Sequence, residues 1–488
     1  MMLLLAQAVF VGNAACAPCH TQIVQSYRTT PMARSSGRVS GDVPYGSFRH
    51  AASGVAYHID AAGSVTLEKT GVREERRLDY FIGSGAAGRS FLYSRDGFLF
   101  QAPITWYSQA SRWDVSPGYE EDRFSRWSRP IEPSCLYCHA SRPSHVDGTQ
   151  NRFRDPPFAQ DGIGCERCHG PGSEHVRGRG KMIRPAMLDA ARRDAVCAQC
   201  HLAGEARVER AGRRIENFRP GEALSDYVAY FIYDDRLAAL KATSHVEKLH
   251  ASRCKRATGD RLWCGTCHDP HTAPAAGQRA SWFRAKCQGC HQPDVCLRGD
   301  DCISCHMPKG RVVDGGHGVL TDHSIPRRAV RIAFESPAPW RLAGFSRADS
   351  GSRELGLAYA EVFLRTGDRR QRDEALRLLE AAPRDPAVEL RLADLYQRGG
   401  QPGRAEPLYR SILARDSRNL VALVNLAGLL AERGRLKEAV PMWRRALDQN
   451  PCLDQAVQNL ITALRAMNEA ASAEAVRKTR AFCKGIGD

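Results

Sequence analysis

Seven short stretches of the chain carry two cysteines three positions apart, with a histidine directly after the second. They are Cys16/Cys19/His20, Cys135/Cys138/His139, Cys165/Cys168/His169, Cys197/Cys200/His201, Cys264/Cys267/His268, Cys287/Cys290/His291 and Cys302/Cys305/His306. The two residues between the cysteines change freely, so the pattern preserves chemistry. Tetrahedral zinc and disulfide exchange need the thiols, but neither requires an imidazole after every second cysteine. Covalent attachment of haem c requires both parts: two thioethers to the porphyrin vinyl groups, and an adjacent imidazole that reaches back under the ring to the iron. One copy alone would leave zinc or coincidence open, but all seven pairs carry the histidine. The motifs therefore predict seven haem c groups, with the motif cysteines as thioether donors and the motif histidines as proximal ligands. A multi-zinc ribbon protein is the minor alternative.

Composition is reinterpreted in that light. A formal charge of +16 on 488 residues would ordinarily point to nucleic acid or an anionic membrane. Each haem adds two propionates against a ferric core carrying one positive charge, so the holoprotein falls to about +9 oxidised and about +2 reduced. Much of the arginine excess then has propionates to face. No zinc-finger or RNA-binding signature is present, and nucleic acid is not an expected partner.

The opening MMLLLAQAVFVGNAAC has a short apolar run followed by Ala6-Gln7-Ala8, which fits the small-x-small rule of signal peptidase. Cleavage after Ala8 is expected, and the missing basic n-region points to a start downstream of the true one. Haem c is attached outside the cytoplasmic membrane, which independently favours a periplasmic or otherwise exported protein. No segment approaches the roughly twenty apolar residues of a membrane span.

The elements that position the motifs fall into three regions. Residues 43–113, between the first two motifs, are rich in aromatic and β-branched residues punctuated by glycine, as in RSFLYSRDGFLFQAPITWYS; this predicts a β-meander insertion. From Cys135 to Pro326 the motifs crowd together with abundant Gly and Pro, a region expected to fold around its cofactors. After about Ser346 the composition switches to Ala, Leu, Arg and Glu at helical period. A 34-residue offset there aligns Ala393, Tyr396, Gly400, Ala405 and Tyr409 with Ala427, Leu430, Gly434, Ala439 and Trp443, and more weakly with Leu464 and Ala473, the pattern of tetratricopeptide repeats. About four such hairpins would stack into a solenoid. The expected fold is a cofactor-organised multihaem cytochrome c domain with a β-rich insertion, plus an all-α tetratricopeptide repeat solenoid. The expected division is a signal peptide at 1–8, a heptahaem domain at 9–330, a linker at 331–345 and a separable repeat domain at 346–488.

The stretches CERCHGPGSEH, CGTCHDPH, CISCHMPKG and TDHSIP resemble the multihaem cytochromes c, in the style of the tetrahaem cytochrome of ammonia oxidisers and the pentahaem nitrite reductases. In such proteins extra histidines near the motifs commonly bind iron on the distal face of a neighbouring haem. Nine of the sixteen histidines lie outside the motifs, enough for every iron. The resemblance ranks His175, His271, His323 and His317 first. His250 and His245 follow, sharing one polar helical stretch, and His50, His58 and His145 come last, with an exposed or hydrogen-bonded side chain as the plain alternative. Related sequences also follow the first motif with a helix and a segment bearing a distal ligand. Here that segment, YRTTPMARSS, centres on Met32, and a thioether ligand would raise that potential. Core filling is the alternative for Met32.

Four cysteines lie outside the motifs: Cys254, Cys296, Cys452 and Cys483. In an oxidising compartment Cys254–Cys296 and Cys452–Cys483 are the plausible pairs. The leading functional expectation is electron transfer between a redox protein donor and acceptor, with a protein or peptide docked in the repeat groove. Taking Pro386, Leu420 and Asp454 as equivalent starts, groove positions are Leu390, Asp394, Gln397, Arg398, Val424, Glu432, Gln458, Thr462 and Arg465. The competing class is a reductase of a small nitrogen or sulfur oxyanion at an iron with an open distal position; a haem-based sensor or assembly scaffold is a third. The lysine that marks the catalytic motif of the nitrite reductases is in none of the seven motifs. Intact mass of the mature protein should exceed the polypeptide by seven haems, with a c-type pyridine haemochrome spectrum; six or fewer from a fully matured preparation would overturn the count.

Overall fold

The computed structural model describes residues 9–233, 239–292, 301–327, 340–349 and 351–486. The expected signal peptide, Cys296 and most of the expected linker lie outside the described residues.

The β-rich insertion is wider than its expected limits. Nine strands run as β1 (Ser36–Arg38), β2 (Gly46–Arg49), β3 (Ala56–Ile59), β4 (Ser64–Lys69), β5 (Val72–Arg77), β6 (Tyr80–Ile82), β7 (Arg89–Arg95), β8 (Phe98–Tyr107) and β9 (Arg112–Val115). They form two antiparallel sheets, ordered β1-β6-β7-β8-β9 and β2-β3-β4-β5. Alternation sets the inward faces: Val65 and Leu67 of β4 are buried while the residues between them are not. Thr70-Gly71 and Asp96-Gly97 close two-residue hairpins with both residues at positive φ, the conformation that matches the twist of the flanking strands. The shared core gathers Tyr57, Phe91, Phe100, Trp113 and Trp127.

Short helices carrying the motifs follow, interleaved with the ribbons β10 (Ser141–His145) with β11 (Phe153–Gln160) and β14 (Lys309–Arg311) with β15 (Val319–Thr321). A third sheet, ordered β12-β13-β16, joins β12 (Ala206–Glu209) and β13 (Val228–Tyr233) to β16 (Leu342–Gly344). Residues 342–344, expected as linker, are thus a strand, because Leu342 is buried under the helices that follow.

Eight helices then pack as four hairpins. The first helices are Ser352–Thr366, Pro386–Arg398, Leu420–Glu432 and Asp454–Ala466, starting 34 residues apart; the second are Arg369–Ala381, Pro402–Arg415, Leu436–Gln449 and Ala470–Thr479. The small and large residues of the repeat pattern are its core: Ala393, Tyr396, Ala405, Tyr409, Ala427, Leu430, Ala439, Trp443, Leu464 and Ala473 are all buried. Side-chain caps from Asp368, Asp385 and Asn419 satisfy the leading amides of their helices.

The helical array is not set apart from the rest. Phe231, Ala229, Val208 and Leu342 of the third sheet belong to one apolar cluster with Leu357, Tyr359 and Val362 of the first repeat. At the other end Cys452 and Cys483 form a disulfide, and both are buried in the β-sheet core together with Ile486. Arg76, stacked on Trp127, donates to the carbonyls of Phe482 and Lys484. Gln150 binds the Gln449 carbonyl and Asn450, and Ser128 binds Asp454. The array is therefore fastened to the haem-motif half at both ends, and the expected clean separation at about Ser346 gives way to a shared core. The disulfide spans a sequence separation of 31, so Cys452→Ser/Cys483→Ser should lose about 3–4 kcal/mol when unfolding of the helices is followed by far-ultraviolet circular dichroism. An unchanged midpoint would mean that burial alone holds the C-terminal segment.

Candidate functional site

Local geometry explains the motif spacing. His20, His169, His268 and His291 each donate their amide to the carbonyl of the motif's first cysteine, four residues back, at 2.9–3.0 Å. One helical turn thereby gathers both thiols and the imidazole on the same side. All fourteen motif cysteines are free thiols, as thioether formation requires.

The thiols of different motifs are neighbours. Cys16 lies beside Cys165, Cys138 beside Cys200, Cys197 beside Cys264, and Cys287 beside Cys302, each pair close enough for one thiol to shift the other. Cys168 is near enough to raise the Cys197 thiol, and Cys290 to raise that of Cys267. The contacts run from the first motif to the third and fourth, then to the fifth, sixth and seventh, with the second beside the fourth.

A region folded around its cofactors would enclose every thioether donor, and three of the fourteen depart from that expectation. Cys19, Cys290 and Cys305 are exposed, while the other motif thiols are partly covered by the chain. Each is the second cysteine of a motif at one end of the succession, the first, sixth or seventh, where fewer elements pack over the turn. Cys19 lies between the helices Asn13–Cys16 and Thr21–Tyr27, outside both. Cys305 sits on the open side of the helix Cys302–His306, and the Ser304 hydroxyl donates to its Sγ at 3.8 Å. Exposure leaves these thiols reachable for attachment but without the enclosure given to the central motifs.

Imidazoles also face one another across the chain. His20 stands 6.3 Å from His175, His169 stands 5.8 Å from His271, and His268 stands 6.2 Å from His323, measured between ring centroids. His245 lies 5.1 Å from His201 and 4.9 Å from His323. Two rings sharing one metal, with each nitrogen about 2 Å from it, stand about 6 Å apart, so the first three separations suit one iron apiece, while His245 stands closer and edge-on to both its neighbours.

Hydrogen bonds orient the rings. Nδ1 of His169, His175, His306 and His323 meets the carbonyls of Ile183, Gly180, Pro326 and Thr321 respectively. A carbonyl only accepts, so each Nδ1 carries the proton and each Nε2 presents a lone pair, the second-shell pattern of ligating histidines. Helix Thr21–Tyr27 holds His271 from behind: Ser26 donates to its carbonyl and Tyr27 lies edge-on to its ring. Burial pushes His139, His169, His201 and His323 below the ordinary imidazole range. Burial, then neighbouring imidazoles, bring His268 to about 4 and His245 to about 3. At neutral pH these rings are uncharged, the form that binds metal. Nδ1 of His245 is buried without a hydrogen-bond partner. The donor set thus fits haem c.

Other expected ligands go elsewhere. His317, ranked with the first, is drawn away by charge: its Nε2 meets Asp114 at 2.8 Å and its ring lies edge-on to Tyr107. His50 is buried with both ring nitrogens occupied, by Ser53 and the Glu120 carbonyl, which leaves no lone pair for iron. His58 is exposed on β3, where strand alternation turns it from the core. His145 packs against Phe153, and His250 against Phe345. The Met32 carbonyl accepts from Ile163, next to the third motif, and Ser35 three residues on donates to the carbonyl of His139 in the second.

Sequence reasoning missed Glu166, a variable residue of the third motif. It is buried, and its carboxylate accepts from the amides of Val11, Gly12 and Gly172, each at 2.8 Å. It pins the entry to the first motif against the third. The only sequence signal was a carboxylate set between the two cysteines.

The family described as "Cytochrome c554 and c-prime" matches residues 112–170, "Doubled CXXCH motif" matches 256–295, and "Tetratricopeptide repeat" matches 398–464. The chain is 26% identical over 228 residues to multiheme cytochrome MtrA of Shewanella baltica (strain OS185), covering 41% of this chain and 62% of that protein. It is 36% identical over 115 residues to cellulose synthase operon protein C of Xanthomonas axonopodis pv. citri (strain 306), covering 24% of this chain and 7% of that protein. The chain thus spans less than two thirds of the length of either relative. Among solved structures, a MamA protein aligns with TM-score 0.24 and 14% identity over 28% of this chain and 74% of its own. YrrB, "a TPR protein with an unusual peptide-binding site", aligns with TM-score 0.24 and 18% identity over 27% of this chain and 69% of its own. The motif-family matches support haem c binding, and the multihaem relative suggests electron transfer. Replacing Glu166 by alanine strips three amides of a charged acceptor and should cost about 2–4 kcal/mol, read as faster hydrogen exchange at Val11 and Gly12. Unchanged exchange there would show that the contact does not hold the N-terminal segment.

Proposed function

We propose that this chain is an exported electron carrier in which each of the seven CxxCH motifs fixes one haem c within residues 9–330, with redox proteins as donor and acceptor. Bound there, haem c supplies a one-electron ferric/ferrous couple. The observation that carries the reading is the facing of motif imidazoles by imidazoles from distant segments, His20 by His175, His169 by His271 and His268 by His323, with the motif thiols as neighbours along the chain of sites. In this reading His175 serves opposite His20, His271 opposite His169 and His323 opposite His268, in accord with the ring separations, and His245, edge-on to His201 at 5.1 Å, is the candidate for the fourth motif. The Cys452–Cys483 disulfide favours an oxidising compartment, in keeping with export to the periplasm or beyond. No helix among the described residues is long and apolar enough to cross a membrane.

The repeat array, residues 346–488, has two roles in this reading: it braces the haem half and offers a surface to a protein or peptide. Of the expected groove positions, Leu390 and Val424 pack on the array's core, Asp394 is buried and paired with Arg398, and Gln397 bonds Tyr409. Glu432, Gln458, Thr462 and Arg465 stay exposed, so the last two repeats are the better docking surface.

A second reading, reduction of a small nitrogen or sulfur oxyanion, is favoured by one observation. Among the described residues no imidazole ring is paired with those of His139, His291 and His306, and Ser35 of the Met32 segment donates to the carbonyl of His139. His271→Ala should convert one haem from low to high spin by electron paramagnetic resonance, with the haem count by mass unchanged. Loss of no low-spin signal would remove His271 from the ligands. A high-spin haem already present in the unaltered protein would favour the second reading.

A further inference from the structure

The residues between the motif cysteines, free to vary as far as the chemistry of attachment is concerned, interlock at one place. Tyr137, Arg167 and Gln199 occupy the same position, just before the second cysteine, in the second, third and fourth motifs. The Tyr137 hydroxyl donates to Gln199 Oε1 at 2.8 Å, Gln199 Nε2 donates to the Arg167 carbonyl at 3.2 Å, and Arg167 Nη2 donates to the Tyr137 carbonyl at 3.1 Å. The guanidinium carbon of Arg167 lies 3.8 Å from the centroid of the Tyr137 ring. Tyr137 and Gln199 are each 3% exposed. The triangle ties three motifs together, directly beside the neighbouring thiols of Cys138 and Cys200.

Its charge is unbalanced. Among the described residues the groups that act most on Arg167 are Tyr137, Cys200 and Cys138, with no carboxylate among them, and its Nε is buried without a hydrogen-bond partner. Arg207 also bears on Cys138, but Glu209 and Glu216 bear on Arg207 in turn. A cation in a poorly solvated site acts strongly on its neighbours. It lies beside Cys138 and Cys200, the cysteines that would hold the haems of the second and fourth motifs. Reduction of ferric to ferrous iron adds one electron and one negative charge, which a fixed cation stabilises.

We propose that Arg167 is a positioning and tuning residue that raises the reduction potential at the junction of the second, third and fourth motifs, making it the place in the relay where an electron rests longest. This rests on the haem reading above. The test is a stepwise spectroelectrochemical titration of full-length holoprotein carrying Arg167→Gln or Arg167→Lys, with haem number fixed beforehand by intact mass. Arg167→Gln should weaken the reduction equilibrium of the highest-potential component at least tenfold, 59 mV for a one-electron couple, while Arg167→Lys, which keeps the charge, should recover most of it. A titration superimposable on the unaltered protein, or equal shifts in both variants, would overturn the proposal. If Arg167→Gln fails to mature, Arg167→Met, which keeps the packing on Tyr137, replaces it. If both neutral variants fail while Arg167→Lys matures, Arg167 serves assembly and the tuning role is wrong. Haem missing from the unaltered protein would defeat the underlying reading instead.

Discussion

Facing imidazoles are the constraint on which the rest of the structure depends. His20 with His175, His169 with His271, and His268 with His323 come from distant segments, yet their ring centroids stand 5.8–6.3 Å apart. An error of an ångström in any supporting element would take a nitrogen out of reach of a shared metal, since metal–nitrogen distances vary by only about 0.2 Å. Backbone carbonyls on Nδ1 and the Glu166 carboxylate on three amides are the local means of meeting that tolerance.

The wider architecture meets it by bracing. Much of the haem-motif half is made of helices of four to seven residues, too short to be stable alone. The β-sheet core closes on one side through Trp127, Cys452 and Cys483. On the other, the third sheet shares its apolar face with the first repeat. A helical array fixed at both ends resists relative motion of the regions it spans. That bracing gives the repeats a structural role alongside any docking they perform.

The contact order among the motifs also bears on the two functional readings. A succession of neighbouring sites favours conduction, and the second motif stands to one side of it, touching the fourth through Cys138 and Cys200. The exposed thiols of Cys19, Cys290 and Cys305 lie at the two ends of that succession, where a redox partner could approach. The proposed cation at Arg167 stands at the branch to the second motif. Electron residence and any chemistry at the second motif would therefore meet at one junction, which unites the tuning role with either reading.

Haem c binding, the motif turns and the repeat period were legible in the sequence because each is local. A cysteine, a second cysteine three on and a histidine one further complete a single helical turn wherever they occur, and hairpins recurring every 34 residues bury the same small and large positions each time. The positive-φ pairs Thr70-Gly71 and Asp96-Gly97 are local signals too. Pairings across the chain were not legible. His317 lies only six residues before His323, but Asp114 of a distant strand claims it. Met32 follows the first motif in sequence and lies by the second and third in space. Cys19 and Cys305 share their motif with the covered Cys168 and Cys200, and only packing separates exposed from covered. Tyr137, Arg167 and Gln199 read as filler until three motifs converge on them. Residue type and spacing within one turn fix what a motif can bind. Which histidine faces which, and where a lone charge is left, depend on long-range packing, which no local pattern encodes.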